Sequence, residues 1–147
     1  MDPDSPQAEA LQIIGENATA DDLEFVKKFW DKLSATTKRS KWINTPSQVE
    51  DHPGQSLVTR NHQVIMDWTK KRQAAPATVP GSEYDGRPGV LRFNFPGYGG
   101  ENLKEISWEK WFETFDERNL VFVFQQHLKN GRTSNFFKLD SPYREHE

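Results

Sequence analysis

The chain of 147 residues has no cysteine, which excludes a disulfide framework, a zinc ribbon, an iron–sulfur centre and thiol catalysis. It also has nothing close to the ~18 continuous apolar residues of a membrane span. The opening Met1-Asp2-Pro3-Asp4-Ser5-Pro6 is acidic and lacks both the basic and the apolar region of a secretory signal. These absences lead us to expect a soluble, cytoplasmic protein without a membrane association. Apolar residues are scarce as well, at 34% of the chain with a mean hydropathy of -0.87. Counting the 9 glycines with them gives about 40%, below the ~45–50% of a compact domain, so part of the chain is expected to lie outside a packed core. Positive charge is not in excess: Lys+Arg 19 against Asp+Glu 22 leaves -3, which argues against a histone-like binder of nucleic acid.

What is present is unevenly distributed. Residues 1–25 carry seven acids and no base, whereas 26–42 carry Lys27, Lys28, Lys32, Lys38, Arg39 and Lys41 against Asp31 alone. Residues 1–18 read as an acidic flexible tail. A helix follows over 19–34, with Thr19 as its cap, Asp22 three residues on, and Leu23, Val26, Trp30 and Leu33 in an apolar stripe widened by Phe25 and Phe29. Residues 35–56 have few large apolar side chains, two prolines and many turn formers, the composition of a basic, polar linker. The domain boundary is therefore expected there, with a compact domain at 57–143 and a short tail at 144–147.

Within that domain a helix is expected over about 61–73, capped by Thr59 or Asn61, buried through Val64, Ile65 and Trp68, and stopped by Pro76. Leu91, Phe93 and Phe95 alternate with Arg92 and Asn94 as in a half-buried strand. Pro96-Gly97-Tyr98-Gly99-Gly100 reads as a sharp loop. Ser107 can cap a further helix whose Trp108, Trp111, Phe112 and Phe115 share one side. Leu120–Gln126 is a near-continuous apolar run, and Asn130-Gly131 is a strong hairpin signal leading into a return strand over Thr133–Leu139. The fold class is accordingly α+β: a small antiparallel sheet of about three strands packed against helices, with an N-terminal helical arm.

Four blocks carry a resemblance. They are His62-x-x-Ile65-x-x-Trp68, Gly89-x-Leu91-Arg92-Phe93-x-Phe95-Pro96-Gly97, Glu105-Ile106-Ser107-Trp108-x-x-x-Phe112-x-x-Phe115-Asp116, and Asn135-Phe136-x-Lys138-Leu139. In this order they resemble a family of small uncharacterised bacterial proteins, members of which often bear the label 1,4-alpha-glucan branching enzyme. The likeness spans about residues 57–140. It departs after the Trp68 helix, where family members place a glycine pair and this chain has Gln73-Ala74-Ala75. The label does not transfer, because a branching enzyme needs a (β/α)₈ barrel of ~250 residues with carboxylates projected from its strands. The resemblance implies no catalytic residue and no cofactor.

Several groups of residues invite a chemical role. Glu109, Glu113, Asp116 and Glu117 could pair for acid–base work or hold a cation, but helical spacing with Lys110 and Arg118 interleaved describes an ordinary solvated face. His52, His62, His127 and His146 lack metal-ligand spacing. His62, early in its helix, is either a packing histidine or, with a carboxylate of the Trp108 helix, the base of a small enzyme. No catalytic triad, P-loop or dinucleotide fingerprint occurs.

Lys38, Arg39 and Lys41 beside Trp42, together with Lys70, Lys71 and Arg72, combine phosphate attraction with a stacking ring and so could hold single-stranded nucleic acid. The plainer account has Trp42 docked on the domain. Phe122 and Phe124 share one strand face and Val121 and Val123 the other, while Phe136 and Phe137 oppose each other, so the hairpin is apolar on both sides. Phe124 and Phe137 are thus candidate contacts for a partner or for self-association. The preferred reading is a non-enzymatic interaction protein acting through a partner protein. A single-stranded nucleic-acid-binding accessory protein is the alternative, and a small enzyme with a His/carboxylate site the third.

Overall fold

Four apolar residues in succession, Val121 to Phe124, organise the first sheet. In a computed structural model of the chain, which describes residues 19–83, 86–97 and 102–143 together with Gln12, Ile14 and Gly15, the elements run as follows. Helix α1 (Ala20–Phe29) passes into a 3₁₀ turn (Trp30–Lys32), then come helix α2 (Ala35–Arg39) and strands β1 (Lys41–Trp42) and β2 (Ser56–Thr59). Helix α3 (His62–Lys71), strands β3 (Ala75–Thr78), β4 (Leu91–Asn94) and β5 (Lys104–Glu105), helix α4 (Trp108–Glu117) and strands β6 (Val121–Gln125) and β7 (Phe137–Asp140) complete the order. The expected acidic tail lies outside the described residues apart from Gln12, Ile14 and Gly15. So do Tyr98–Gly100 of the expected loop and the tail at 144–147. No helix among the described residues is long and apolar enough to cross a membrane.

The chain is α+β, as its patterning indicates, but with two sheets and seven strands among the described residues rather than about three strands. It forms two compact units, one of residues 1–64 with 120–147 and one of residues 65–119. The first contains the sheet β1-β2-β6-β7, in which β1 runs parallel to β2 and the other neighbours are antiparallel. On one face Val58, Val121 and Val123 join Trp42 and the α1 side chains Phe25, Val26 and Phe29, with Leu33 and Ile14, in one buried cluster. On the other, Phe122 and Phe124 stack at 5.1 Å and Phe137 stacks on Phe122 at 6.0 Å. Each of these large side chains, once buried, contributes ~1.5–3 kcal/mol.

Residues 35–56, whose composition is that of a linker, are tied down by polar groups. Ser34 caps α2, its Oγ accepting from Thr37 N–H. Asp140, fully buried in β7, accepts from Ser34 N–H at 2.9 Å and from the Thr37 hydroxyl at 2.6 Å. A buried carboxylate is tolerable only with such donors. The two hydrogen bonds fasten the N-terminal arm to a strand more than a hundred residues away. Trp42 then enters the sheet edge and is buried with Ile43.

The second unit is built around α4. Ser107 caps it, accepting from Lys110 N–H at 3.2 Å. Trp111 stacks on Phe93 of β4 at 5.1 Å and on Phe115 at 5.5 Å, and its indole N–H donates to the Arg92 carbonyl. Trp68 of α3 meets Phe93 at 5.9 Å and Phe95 at 6.0 Å. Strand β3 is the centre of the sheet β4-β3-β5, although Pro76 stands in it where a helix stop alone is expected. The ladder tolerates the proline because Val79 N–H bonds to the Val90 carbonyl, so alternation makes Pro76 and Phe93 a non-hydrogen-bonded pair. On its other edge Pro76 supplies only a carbonyl, to Ile106 N–H at 3.0 Å.

Helix α3 ends earlier than expected, at Lys71, in a left-handed cap. Gln73 N–H bonds to the Lys70 carbonyl and Ala74 N–H to the Thr69 carbonyl, with Gln73 at φ 55. A side chain is disfavoured there, so Gln73→Gly should stabilise the chain by about 1 kcal/mol in urea denaturation.

Near the start of α1, Asp22 and Thr19 bond reciprocally, Thr19 Oγ1 accepting from Asp22 N–H at 3.1 Å. Burial pushes the Asp22 carboxyl up, while the bonds from Thr19, the charge of Arg60 and a bond from Asn44 pull it down. The folded state therefore holds this proton more tightly than the unfolded chain does. That contribution to stability is present below the ordinary value of 3.8 and is lost as pH rises through the raised folded value. Asp22→Asn should thus match the parent in acid-side denaturation and gain on it towards neutral pH.

Candidate functional site

The cations that sequence groups with nucleic acid belong to two units and make different local contacts. Lys38 and Arg39 end α2, half-buried and exposed respectively. Lys41 is spent locally, its ammonium donating to the Val49 carbonyl at 2.9 Å and to Asp51 at 2.8 Å. The hydrogen bond from Lys41 comes first among the causes that hold the Asp51 carboxyl below its usual range, followed by one from Gln55. Trp42 is only 4% exposed and cannot offer a face to a base, which corrects the role expected of it. Its burial follows from pairing: β1 registers Trp42 against Val58, so the ring turns into the α1-facing cluster.

Lys70, Lys71 and Arg72 belong to the second unit. Lys71 pairs with Asp67 one turn earlier at 3.1 Å, and Lys70 is exposed. Arg72 lies over the Trp68 ring, 4.3 Å from its centroid, and donates to the Trp68 carbonyl at 2.9 Å. Burial pushes its pKa down to about 10. These are the contacts of a helix C-terminus.

Phe124 is 1% exposed and belongs to the core, so it is not a surface contact. Phe137 is half-buried on Phe122. It is the neighbouring Phe136 that stays open, at 43%. Alternation indicates that Phe136 and Phe137 take opposite faces, but not which of the two stays in water.

The carboxylates of α4 lie on a solvated face: Glu109, Glu113, Asp116 and Glu117 are all exposed, and Glu117 pairs with Arg87. Among the described residues no cluster of His, Asp and Glu could hold a metal ion. His62 is half-buried in the first turn of α3, and His52 is exposed.

His127 and Glu50 form a histidine–carboxylate pair. His127 Nδ1 meets Glu50 Oε1, while Glu50 N–H donates to the Gln126 side chain at 3.1 Å. Glu50 keeps 11% of its side chain exposed and His127 46%. The second Glu50 oxygen is buried without a partner. Close by in sequence, the Ser134 hydroxyl donates to Gln125 Oε1 at 2.9 Å, so its proton is already committed. The pair clips the 44–55 loop to the end of β6, where Gly54 N–H also bonds to the His127 carbonyl at 2.9 Å.

Around this clip three large apolar side chains remain exposed. Val49 precedes Glu50, Leu128 follows His127, and the Phe136 carbonyl accepts from Gln125 N–H. Their exposures are 57%, 41% and 43%. Lys129 and Arg132, at the turn between β6 and β7, are exposed and make no ion pair among the described residues. No protein-family model matches the chain, and no curated protein or solved structure shows significant similarity to it.

Removing one partner of the clip leaves a mostly buried carboxylate uncompensated. His127→Ala should therefore cost about 1–3 kcal/mol in urea denaturation, whereas Lys129→Ala should stay within about 0.5 kcal/mol of the parent.

Proposed function

We propose that this chain is a non-enzymatic interaction protein that binds a partner protein through Val49, Leu128 and Phe136 at the hairpin end of the first unit. The observation that carries the reading is where apolar surface stays in water. Of the five large apolar side chains exposed among the described residues, these three adjoin one clip; Val90 lies in the other unit, and the Tyr143 ring rests edge-on against Phe29 at 5.8 Å. Exposed apolar residues scattered singly are ordinary, whereas a group held on a fixed scaffold is a contact surface. The clip supplies that scaffold, because Glu50 and His127 hold loop and hairpin in one arrangement. With Lys129 and Arg132 beside it, the surface suits a segment that carries apolar side chains flanked by carboxylates.

Site-specific photocrosslinking in cells tests this. A photoreactive phenylalanine at Phe136 or Leu128 should give one discrete protein adduct, and the same residue at Glu113 should not. Placing Asp at both Leu128 and Phe136 should abolish the adduct formed from position 49 while leaving the melting temperature within a few degrees. An adduct of twice the chain mass identifies the partner as a second copy. Absence of any adduct from the three positions, or equal yield from Glu113, overturns the proposal.

A further inference from the structure

The same unit presents a second surface, of different chemistry, on the opposite end of α1 from the acids. Along α1 the exposed charges are segregated: Asp21 and Glu24 in its first half, Lys27 and Lys28 in its last turn. Beyond it come Lys32 in the 3₁₀ turn and Lys38 and Arg39 in the last turn of α2. Lys27, Lys28, Lys32 and Arg39 are exposed and Lys38 is half-exposed. None of the five makes an ion pair among the described residues, in contrast to Lys41, which is held by Asp51.

Among these cations stands one aromatic ring that the core does not take in. Trp30 packs partly against the α1-facing cluster yet remains half-exposed, with the Lys38 ammonium 6.0 Å from its ring centroid. Its place on the helix accounts for this: Trp30 lies two turns after Leu23, which is likewise only partly buried, so both side chains sit at the edge of the stripe rather than at its centre.

Helix dipoles account for cations at the ends of α1 and α2. They do not account for a partly exposed tryptophan in their midst. We propose that Trp30 with Lys27, Lys28, Lys32, Lys38 and Arg39 forms a binding surface for single-stranded nucleic acid, the ring stacking on an unpaired base and the cations neutralising the adjoining phosphates. Unpaired bases are required, since a duplex hides the base faces that an aromatic ring needs. The surface is independent of the partner-binding reading, because it shares no residue with Val49, Leu128 and Phe136.

The test is fluorescence anisotropy of the full chain with labelled oligo-U and oligo-dT of about fifteen nucleotides, and with a duplex of equal length, at about 50 and about 250 mM salt. Both single strands should bind, more tightly than the duplex, and should weaken roughly 10- to 100-fold at the higher salt. Trp30→Ala should weaken single-strand binding about tenfold with little change for the duplex, and Trp30→Phe should retain most of it. Changing the five cations to Gln, all of them at surface positions, should flatten the salt dependence. The double Asp variant at Leu128 and Phe136 should bind as the parent does.

Absence of single-strand binding at low salt overturns the proposal. So does binding indifferent to the five Gln changes, or equal affinity for polyglutamate, which would reveal a general polyanion contact. Duplex binding as tight as single-strand binding, with Trp30→Phe no better than a chain whose cations are changed, removes the stacking role of the ring.

Discussion

The first unit depends on one strand that tolerates water on neither face nor either edge. Val121 to Phe124 alternate two valines with two phenylalanines, and β2 and β7 pair with β6 on its two sides. Such a strand needs a layer on each face. The valine face receives α1 and Trp42, and the burial of Ile14 in the same cluster shows that the covering begins upstream of α1. The phenylalanine face is equally buried. Its hairpin partner therefore exposes side chains only where the pairing runs out, near Phe136 and the turn.

Polar contacts hold the rest in place, and this explains how much of the fold was legible in the chain. Elements with a strong local signal were readable: the Ser107 cap and aromatic stripe of α4, the alternation of Leu91 to Asn94, the apolar run of β6, and the Asn130-Gly131 turn, where Gly131 adopts φ 87. The strands that escaped notice have two to four residues and no period to count. β1 is Lys41–Trp42, β2 follows a loop rich in turn formers, and β3 contains a proline. Their positions are set by partners distant in sequence, such as Val58 for Trp42 and Phe124 for Leu57. The order within 35–56 rests on Asp140 and on the Glu50–His127 clip, neither of which leaves a trace in local composition.

The same distinction governs the surface residues. Cationic charge around 27–39 was visible as composition, but the burial of the nearby rings was not: Trp42, adjacent in sequence, is buried by strand pairing, whereas Trp30, assigned to a helical stripe, packs only partly against the cluster. In the hairpin, parity established that one of Phe136 and Phe137 must face away from the other. Which one stays in water depends on where β7 begins to pair. Pairing with Phe124 starts at Phe137, leaving Phe136 at the mouth of the hairpin.

The division of the chain into units carries a consequence for how the molecule comes into being. Residues 65–119 are contiguous, and the contacts among β3, β4, β5 and α4 close short loops. The first unit is interrupted: β2 leaves the ribosome more than sixty residues before its neighbour β6, and Ser34 more than a hundred before Asp140. Loop-closure entropy places the nearer contacts first. During synthesis the N-terminal arm has Trp42 and Val58 to pack on, but lacks Val121 and Val123 until β6 emerges. The exposed charges of α1, Asp21, Glu24, Lys27 and Lys28, lie off its apolar face and so are present before that face is covered.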